Sequence, residues 1–346
     1  MSALLITVLI TAHNYGQFIE ESIDSVLAQE FPPDQLEILV VDDGSTDDTA
    51  ERAKKYGSSI TYLYKENGGQ ASALNYGLER ACGEIVALLD ADDLFLPGKL
   101  ACLADIFASD QSLGMVYHKL QEWHAETDLR REWPFVEISG DIGNDPKQIS
   151  LFLPEPTSGI AFRRSLLRPL LPIPGQIRML ADCFLVSLMP FLAPIRALPK
   201  LFTVYRIHGK NSYTAREPEA SRGDKAKKYI MWKILIDAMM DWLTKNGYIR
   251  KNRAARVFRT LWQYNVEVLR TDSPGRLRFF LLVLRQNHAY APLQTWKLTA
   301  FNYFFAPWSL ILGSKRADRF YEWRGAFMAS AQRASNSMMG MSRDSK

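Results

Sequence analysis

The sequence predicts an α/β fold in which a mostly parallel sheet is flanked by helices and followed by a C-terminal helical extension. Three observations support this prediction. Short apolar runs alternate four times with segments of helical periodicity between residues 4 and 108, and such alternation is typical of parallel sheets with helices on both faces. Acidic residues follow two of the runs, and the last third of the chain has helical spacing alone.

The first strand and helix lie close to the N-terminus. Residues 4–11 form a nearly unbroken apolar and β-branched run, short enough for a buried parallel strand. Apolar side chains then recur about every four residues from Phe18 to Leu27, as on the buried face of a helix. Pro32 and Pro33 are expected to end this helix.

Three further strand–helix units follow the same pattern. Residues 37–41 predict a second strand, and Ser45 is a candidate cap for the next helix, which has an Asp in its first turn. Alternating strands and helices are then predicted at residues 60–64, 70–81, 85–89 and 97–108. Because ligands bind beyond the carboxyl ends of parallel strands, the polar residues that follow each strand are candidate site residues.

The rest of the chain is less regular until its last third. Residues 117–156 carry a mixed signal, which predicts irregular structure and antiparallel strands covering the site. Residues 198–208 predict a further strand. Apolar residues after position 225 recur with helical spacing, so we expect a boundary between residues 213 and 228.

Composition indicates an ordinary folded protein with two halves of opposite charge. Hydrophobic residues make up 47% and charged residues 23% of the 346 residues, which excludes a disordered tail or a fibre. Residues 1–224 carry 20 Lys and Arg against 31 Asp and Glu, a net −11, whereas residues 225–346 carry 22 against 7, a net +15. An acidic half suits bound cations, and a basic, aromatic-rich half suits an anionic surface.

The cysteines and the N-terminus predict a reduced, cytoplasmic protein. Cys82, Cys102 and Cys183 are odd in number and lack the spacing of a zinc site or a disulfide framework. No basic leader or small-residue cleavage site precedes the first apolar run, so a signal peptide is not expected.

Three carboxylates follow the fourth predicted strand. Asp90, Asp92 and Asp93 come directly after the apolar run at residues 85–89, and carboxylates this close repel one another. The arrangement becomes favourable if Mn²⁺ or Mg²⁺ lies between them and a diphosphate, because both cations prefer oxygen ligands. The alternative is an acidic turn that caps the next helix.

A second acidic pair follows the second predicted strand. Asp42 and Asp43 precede Gly44, which permits a tight turn close to a bound base. An Asp at this point can accept a hydrogen bond from the imide of uracil. The alternative is a helix-capping turn, in which Asp42 or Asp43 could still have a second role.

Four segments, taken together, resemble glycosyltransferase family 2, whose members have the GT-A fold and use nucleotide diphosphate sugars. The segments are VLITAHN at residues 8–14, VVDDGSTD at 40–47, NGGQASALN at 67–75 and LDADD at 89–93. Their order and spacing also match the family. The resemblance is strong as far as the fourth segment, weaker as far as residue 213 and absent beyond it.

The resemblance implies a set of contacts with the nucleotide sugar. These contacts lie after the first, second and fourth strands and at the start of the third helix. The residues are Thr11, Ala12, His13, Asn14, Asp42, Asp43, Gln70, Asp90 and Ala91. Thr11 and His13 depart from the Pro and Tyr that are common in the family, which leaves the base specificity open, although an imidazole can still stack on uracil.

The resemblance also implies a metal site and a phosphate contact. Asp92, with Asp90 and His208, is expected to hold Mn²⁺ or Mg²⁺, and Arg206 is expected to neutralise phosphate. The structural alternative places Arg206 and His208 on the polar face of a strand, without a ligand.

Asp182 is the catalytic base that the resemblance implies. It begins an otherwise apolar helix, at a position where many family members have two adjacent acids, of which Ala181 here replaces the first. A base of this kind takes the proton from the attacking acceptor hydroxyl. The alternative is an Asp that only caps the helix or occupies its first turn.

The predicted activity is inverting transfer of a single sugar from a nucleotide diphosphate sugar, expected to be a UDP-sugar, to a hydroxyl of a saccharide or lipid-linked acceptor. The expected context is surface polysaccharide or glycolipid assembly. Residues 1–115 are expected to bind the nucleotide sugar, and residues 116–215 to carry the acceptor side and the base. The alternatives are a sugar nucleotidyltransferase, although no glycine-rich triphosphate loop follows the first strand, and a non-catalytic nucleotide-sugar binding protein.

Residues 225–346 form the basic, aromatic-rich helical region. The apolar runs at residues 276–285 and 303–312 are too short to span a membrane, which takes about 20 apolar residues. We expect either interfacial helices that dock on the anionic cytoplasmic leaflet, giving a peripheral location, or a helical cap on the catalytic domain. No nucleic acid partner is expected.

Overall fold

One sheet of nine strands forms the centre of the described part of the chain. The computed structural model describes residues 5–209, 211 and 222–270. The strands are β1 (Ile6–Ala12), β2 (Leu36–Asp43), β3 (Thr61–Lys65), β4 (Ile85–Asp90), β5 (Leu94–Phe95), β6 (Met115–His124), β7 (Leu129–Glu132), β8 (Ile160–Arg163) and β9 (Ile195–Ile207).

The helices of the described residues lie between and after these strands. They are α1 (Gly16–Leu27), α2 (Thr49–Lys54), α3 (Gln70–Arg80), α4 (Lys99–Ser109), α5 (Pro146–Leu151), α6 (Arg164–Leu167), α7 (Ala181–Leu188), α8 (Arg222–Lys245), α9 (Tyr248–Lys251) and α10 (Arg253–Arg270). The four predicted strand–helix alternations are all present, with shifted ends.

Six of the nine strands run in one direction, so the sheet is mostly parallel, as predicted. The order across the sheet is β3-β2-β1-β4-β8-β6-β9-β5, and β7 pairs with β6. β1 pairs in parallel with both β2 and β4, so that Ala12 lies beside Asp42 and Thr11 lies beside Asp90. The two acidic turns therefore lie at the same edge of the sheet, on either side of β1.

The apolar runs of the parallel strands form the main core. Ile6, Val8 and Ile10 of β1 are fully shielded from solvent, as expected for a strand that helices cover on both faces. α1 packs Ile19 and Ile23 against this core, which is the face that its four-residue spacing predicted. Burial of these side chains fixes the strand ends from which the polar residues project.

The other half of the sheet is mixed. β8 runs antiparallel to β4 and β6, and β6 runs parallel to β9. β6 and β7 form an antiparallel hairpin, in agreement with the antiparallel strands predicted for residues 117–156. A 3₁₀ turn at Thr157–Gly159 precedes β8 and places Ser158 beside the end of β4, where its Oγ accepts a hydrogen bond from the Asp90 backbone N–H at 3.0 Å.

The predicted helix cap at Ser45 is wrong. The helix after β2 begins at Thr49, and Ser45 Oγ instead accepts a hydrogen bond from the backbone N–H of Asn14 at 2.8 Å. The Asp47 carboxylate accepts hydrogen bonds from the backbone N–H groups of Gly16 and Thr49, each at 3.0 Å. These hydrogen bonds join the segment after β2 to the loop after β1 and to the first residue of α1. The Ser45 hydroxyl therefore bonds to another loop and does not cap a helix.

The helices α8 and α9 pack on the part of the chain that carries the sheet. Trp242 Nε1 donates a hydrogen bond to the Pro169 carbonyl, and the Tyr248 hydroxyl donates one to the Phe191 carbonyl, each at 2.8 Å. Packing of this kind agrees with the alternative of a helical cap for the first part of the C-terminal region.

The described residues up to Arg259 belong to one compact unit, and a second unit begins at Thr260. Within the described ranges, no helix is both long and apolar enough to cross a membrane. The basic, apolar runs at residues 276–285 and 303–312 lie outside the described residues, so the prediction of membrane docking remains a prediction.

Candidate active site

A cleft of about 710 Å³ lies at the carboxyl edge of the parallel strands. Its walls come from the ends of β1, β2 and β4, from the starts of α3 and α7, and from the segment that leads to the 3₁₀ turn. The predicted site residues that line it are Thr11, Ala12, His13, Asp43, Gln70, Asp90, Asp92 and Asp182. The other predicted residues, which do not line it, are Asn14, Asp42, Ala91, Arg206 and His208.

The two acids at the end of β2 have different surroundings, because successive strand residues face opposite sides of a sheet. Asp42 is fully buried and accepts hydrogen bonds from the Ser45 N–H at 2.7 Å and from the Tyr62 hydroxyl at 2.5 Å. Asp43 lines the cleft, pairs with Lys65 Nζ at 2.5 Å and accepts two backbone N–H hydrogen bonds from the loop before α3. Asp43 is therefore the acid of this pair that is placed for a ligand.

Of the two residues that follow β1, His13 lines the cleft and Asn14 does not. His13 lines the cleft, where the Asn67 amide nitrogen lies 3.2 Å from its Nδ1. Asn14 has a positive φ of 60° and donates its backbone N–H to Ser45 Oγ. Its Oδ1 accepts a hydrogen bond from the Thr46 N–H at 2.8 Å. Asn14 thus joins the loops after β1 and β2 and holds the backbone that carries His13.

The acids after β4 crowd one another. Asp90 retains some exposure to the cleft, whereas Asp93 is buried and accepts hydrogen bonds from the Ser158 hydroxyl at 2.5 Å and the Arg206 backbone N–H at 2.9 Å. Burial raises the pKa of Asp90 and of Asp93, and the neighbouring charge of Asp92 adds to both rises. The turn does not cap α4, because the residue before this helix is Gly98, which has no side-chain cap, and the Leu100 N–H donates to Gln29 Oε1 at 3.4 Å. The capping alternative is therefore wrong.

Asp92 and His208 form the candidate metal site. The Asp92 carboxylate lies 2.9 Å from His208 Nε2 and 3.1 Å from the Asn211 amide nitrogen, and the Phe18 ring packs against the imidazole at a centroid distance of 4.2 Å. Among the described residues, no group of three His, Cys, Asp or Glu side chains is placed to hold a metal ion by itself. The residues fit Mn²⁺ or Mg²⁺ as a partial ligand set, because such ions bind through one or two carboxylates together with phosphate oxygens and water.

Arg206 is buried and does not line the cleft. Its guanidinium pairs with Glu21 at 2.7 Å and packs over the rings of Phe18 and Trp123, at 4.8 and 5.0 Å from their centroids. The direct phosphate contact predicted for Arg206 therefore does not fit its placement. Arg178 instead lines the cleft, and among the described lining residues it is the sole Lys or Arg.

Asp182 lies in the first turn of α7 and lines the cleft with only 6% of its surface exposed. Its Oδ2 accepts a hydrogen bond from the Thr157 hydroxyl at 2.9 Å. Burial raises the pKa of Asp182, while hydrogen bonds from Thr157 and from backbone N–H groups act in the opposite direction. Leu180, at the start of this helix, has a φ of 63°, an uncommon conformation for such a side chain and one found at functional sites.

Gln70 joins the nucleotide side of the cleft to the segment that carries Asp182. Its Oε1 accepts a hydrogen bond from the Ala181 N–H at 2.8 Å, and its own backbone N–H donates to the Arg178 carbonyl at 2.9 Å. These two bonds connect the start of α3 to the start of α7. Gln70 is therefore a positioning residue for Asp182 as well as a lining residue.

Substituting Gly69 with alanine should disturb this connection. Gly69 has a φ of 85° and a ψ of 175°, a region essentially restricted to glycine, and an added Cβ would lie 2.8 Å from the Arg178 carbonyl oxygen. We expect Gly69→Ala to lower the free energy of unfolding by about 1–3 kcal/mol, measured by urea denaturation. Gly57→Ala is the matched control, because Gly57 also has a positive φ, of 54°, but no atom within 4 Å of the added Cβ. Equal losses in the two variants would contradict a specific clash with Arg178.

Sequence reasoning missed many of the residues that line the cleft, among them Trp133, Glu155, Arg178, Tyr205 and Trp232. The strand that contains Tyr205 was predicted, but its contribution to the cleft was not. The one sequence signal that could have identified any of them is at Glu155, where a charged residue lies between two prolines.

Comparisons with known proteins identify the class. The family model described as glycosyl transferase family 2 matches residues 7–170. An uncharacterized glycosyltransferase of Nostoc sp. is 31% identical over 250 residues, which cover 70% of this chain and 77% of the relative. An uncharacterized glycosyltransferase of Rickettsia typhi is 46% identical over 96 residues, 28% of this chain and 30% of the relative.

The chain therefore belongs to glycosyltransferase family 2, and the predicted family is confirmed. The crystal structure of S. aureus TarS 1-349 in complex with UDP matches with a TM-score of 0.60 at 18% identity, over 92% of each chain. TarS 1-349 in complex with UDP-GlcNAc matches with a TM-score of 0.53 at 18% identity, over 88% of this chain and 90% of that one. The fold is the predicted GT-A fold, and the protein is a glycosyltransferase.

Proposed function

We propose that this protein transfers one sugar from a UDP-sugar to a hydroxyl of a saccharide or lipid-linked acceptor, with inversion at the anomeric carbon and with Mn²⁺ or Mg²⁺ bound. A role in surface polysaccharide or glycolipid assembly is part of the proposal. The observation that carries it is that Asp43, Asp90, Asp92 and Asp182 line one cleft. The UDP and UDP-GlcNAc bound to TarS support a uridine diphosphate donor.

In this proposal the uracil lies beside Asp43 and His13. Asp43 Oδ2 accepts one described hydrogen bond, from the Gly69 N–H at 2.7 Å, so a lone pair remains for the imide N–H of uracil. The His13 ring borders the same cleft and can stack on the base.

The diphosphate lies between Asp92 and Arg178. Asp92, with Asp90 in the cleft and His208 behind it, would hold the cation, which stabilises the negative charge of a departing nucleoside diphosphate when it is bound. The Arg178 guanidinium can add charge-assisted hydrogen bonds to phosphate oxygens. This assignment gives Arg178 the role that the sequence predicted for Arg206.

Asp182 acts as the base. Its carboxylate takes the proton from the acceptor hydroxyl while that oxygen forms a bond to the anomeric carbon, and the bond from the anomeric carbon to the diphosphate oxygen breaks. A single displacement of this kind inverts the configuration. Thr157 and Gln70 hold Asp182 and its helix in place, which keeps the acceptor oxygen in line with the leaving group.

The activity should fall at acidic pH as Asp182 becomes protonated. Because burial raises the pKa of Asp182 in the folded protein, we expect the loss to begin at a higher pH than for an exposed Asp, whose pKa is about 3.9. The pH profile of kcat/KM measures this pKa in the free enzyme, and tryptophan fluorescence at each pH controls for unfolding. Full activity at a pH near 4, with the fold intact, would contradict Asp182 as the base.

A panel of donors tests the proposal as a whole. The protein is incubated with UDP-GlcNAc, UDP-glucose and GDP-mannose, with Mn²⁺ or Mg²⁺ and with or without EDTA, and release of the nucleoside diphosphate is measured. We expect release from a UDP-sugar, and we expect EDTA to stop it. A protein that releases no nucleoside diphosphate and does not bind UDP in calorimetry would refute sugar transfer.

A further inference from the structure

The cleft wall contains a buried carboxyl group, one oxygen of which has no hydrogen-bond partner among the described residues. Glu155 lines the cleft and is only 4% exposed, yet its Oε2 has no hydrogen-bond partner, and no described Lys, Arg or His forms an ion pair with it. Burying such a group unsatisfied lowers stability. A buried polar group of this kind is accounted for when a ligand supplies the missing hydrogen bond.

Glu155 lies on the same wall as the base. Pro156 has an extended backbone, with a φ of −56° and a ψ of 148°, and the residues on either side of it, Glu155 and Thr157, both line the cleft. The Thr157 hydroxyl donates to Asp182 Oδ2 at 2.9 Å. Pro154 and Pro156, on either side of Glu155, restrict the backbone and hold the carboxyl in place.

The surroundings of Glu155 favour its neutral form. Arg178, the one Lys or Arg among the described residues of the cleft wall, donates instead to Asn67 Oδ1 at 2.6 Å. Burial raises the pKa of Glu155 to about 8, so the carboxyl is mostly protonated at neutral pH. A protonated carboxyl donates one hydrogen bond and accepts another. A sugar hydroxyl offers the complementary pair, whereas an ammonium group would need the ionised form.

Aromatic side chains border the same space. Trp133, Tyr205 and Trp232 line the cleft, and the rings of Trp133 and Tyr205 lie 5.4 Å apart at an angle of 68°. A pocket with apolar aromatic walls and a few polar groups suits a ligand that has both apolar faces and polar edges. The carbon–hydrogen face and the hydroxyl edge of a sugar ring meet both requirements.

We propose that Glu155 anchors a hydroxyl group of a saccharide acceptor, adjacent to the hydroxyl that Asp182 deprotonates. This inference rests on the sugar-transfer function proposed above. It makes the acceptor a carbohydrate with neighbouring hydroxyl groups, in contrast to an amine.

Two variants of Glu155 test the assignment. The UDP-sugar turned over in the donor panel is assayed with methyl β-D-glucopyranoside, methyl N-acetyl-β-D-glucosaminide or maltose as the acceptor probe, and with ethanolamine as the amine probe. We expect Glu155→Leu to raise the acceptor KM about tenfold, as for the loss of one hydrogen bond, and to raise the melting temperature, because an unsatisfied buried carboxyl is removed. Glu155→Gln should keep the KM within about threefold, because an amide also donates and accepts.

Glu137→Leu is the matched control, because Glu137 is exposed and does not line the cleft. An unchanged acceptor KM in Glu155→Leu overturns the proposal, and so does wild-type protein that turns over the donor but is stimulated by none of the sugar probes. Stimulation by ethanolamine, with equal losses in Glu155→Gln and Glu155→Leu, overturns it in favour of a cationic acceptor. Wild-type protein that neither binds UDP nor releases it from a UDP-sugar refutes the sugar-transfer function itself, so the two failures are distinguishable.

Discussion

Asp182→Asn should lower the rate of sugar transfer by about 10²- to 10⁴-fold, the usual contribution of a general base. The amide has nearly the same shape and can still accept the hydrogen bond from Thr157 that holds the carboxylate at 2.9 Å, but it cannot take the acceptor proton. Affinity for UDP should therefore change little. Initial rates with a UDP-sugar and an acceptor, together with calorimetry with UDP, measure the two effects separately.

Asp34→Asn is the matched control for this variant. Asp34 is exposed and does not line the cleft, so its variant should transfer sugar at the wild-type rate. If Asp182→Asn keeps more than about a tenth of the wild-type rate, another group must act as the base. If the variant instead loses UDP binding in parallel with its activity, Asp182 has a structural role.

Asp92→Asn should remove the response to metal as well as most of the activity. Replacing a carboxylate by an amide weakens the ligand of a hard divalent cation, and losing one group that stabilises developing charge lowers kcat on the order of 10²- to 10³-fold. Wild-type protein should gain thermal stability on addition of Mn²⁺, since a ligand that binds the folded state stabilises it. The variant should gain much less.

The control for this second prediction is Asp105→Asn, an exposed acid on α4 away from the cleft. It should keep both the metal response and the activity. Turnover by wild-type protein that is unaffected by EDTA would contradict a metal role for Asp92. A melting-temperature shift with Mn²⁺ that is equal in Asp92→Asn and wild type would place the cation elsewhere.

The parallel half of the fold could be predicted because each of its strands is an apolar run of strand length between helical segments. Such strands are buried on both faces, so local sequence and tertiary packing require the same residues. The start of α2 was mispredicted because Ser45 and Asp47 accept hydrogen bonds from the Asn14 and Gly16 N–H groups, far away in sequence, which no local pattern reveals. The helix-capping preference of serine favours a cap at Ser45, but the hydrogen bond from the Asn14 N–H determines where its hydroxyl lies.

The site was predictable to the level of strand ends and not to the level of side-chain direction. Parallel pairing brings Asp42 and Asp90 to either side of β1, independently of the direction in which each side chain points. Which residues line the cleft depends on which face of a strand meets it. Asp43 lines the cleft and Asp42 does not. Arg206 does not line it either, and pairs with Glu21. With two consecutive acids, a period of two cannot make that choice from sequence.

The contributions of other cleft residues could not be predicted. Glu155 and Arg178 lie in connections between helices and strands, which have no periodic signal, and Trp232 lies on a predicted helix far along the chain. An aromatic or charged residue in such a segment can have many different surroundings. Only the folded structure shows that Glu155, Arg178 and Trp232 line the same cleft. The roles proposed for them follow from the cleft, whereas the role proposed for Asp182 also followed from the family resemblance.

The position of Trp232 has a consequence for how acceptor preference is inherited among relatives. The family match ends at residue 170, yet the wall of the cleft includes Trp232 of α8, a helix outside the matched stretch. A chimera that keeps the strands but takes its trailing helices from a relative should therefore keep its choice of nucleotide and change its choice of acceptor. Two relatives that are similar only within the matched stretch would then use the same donor but could form different products.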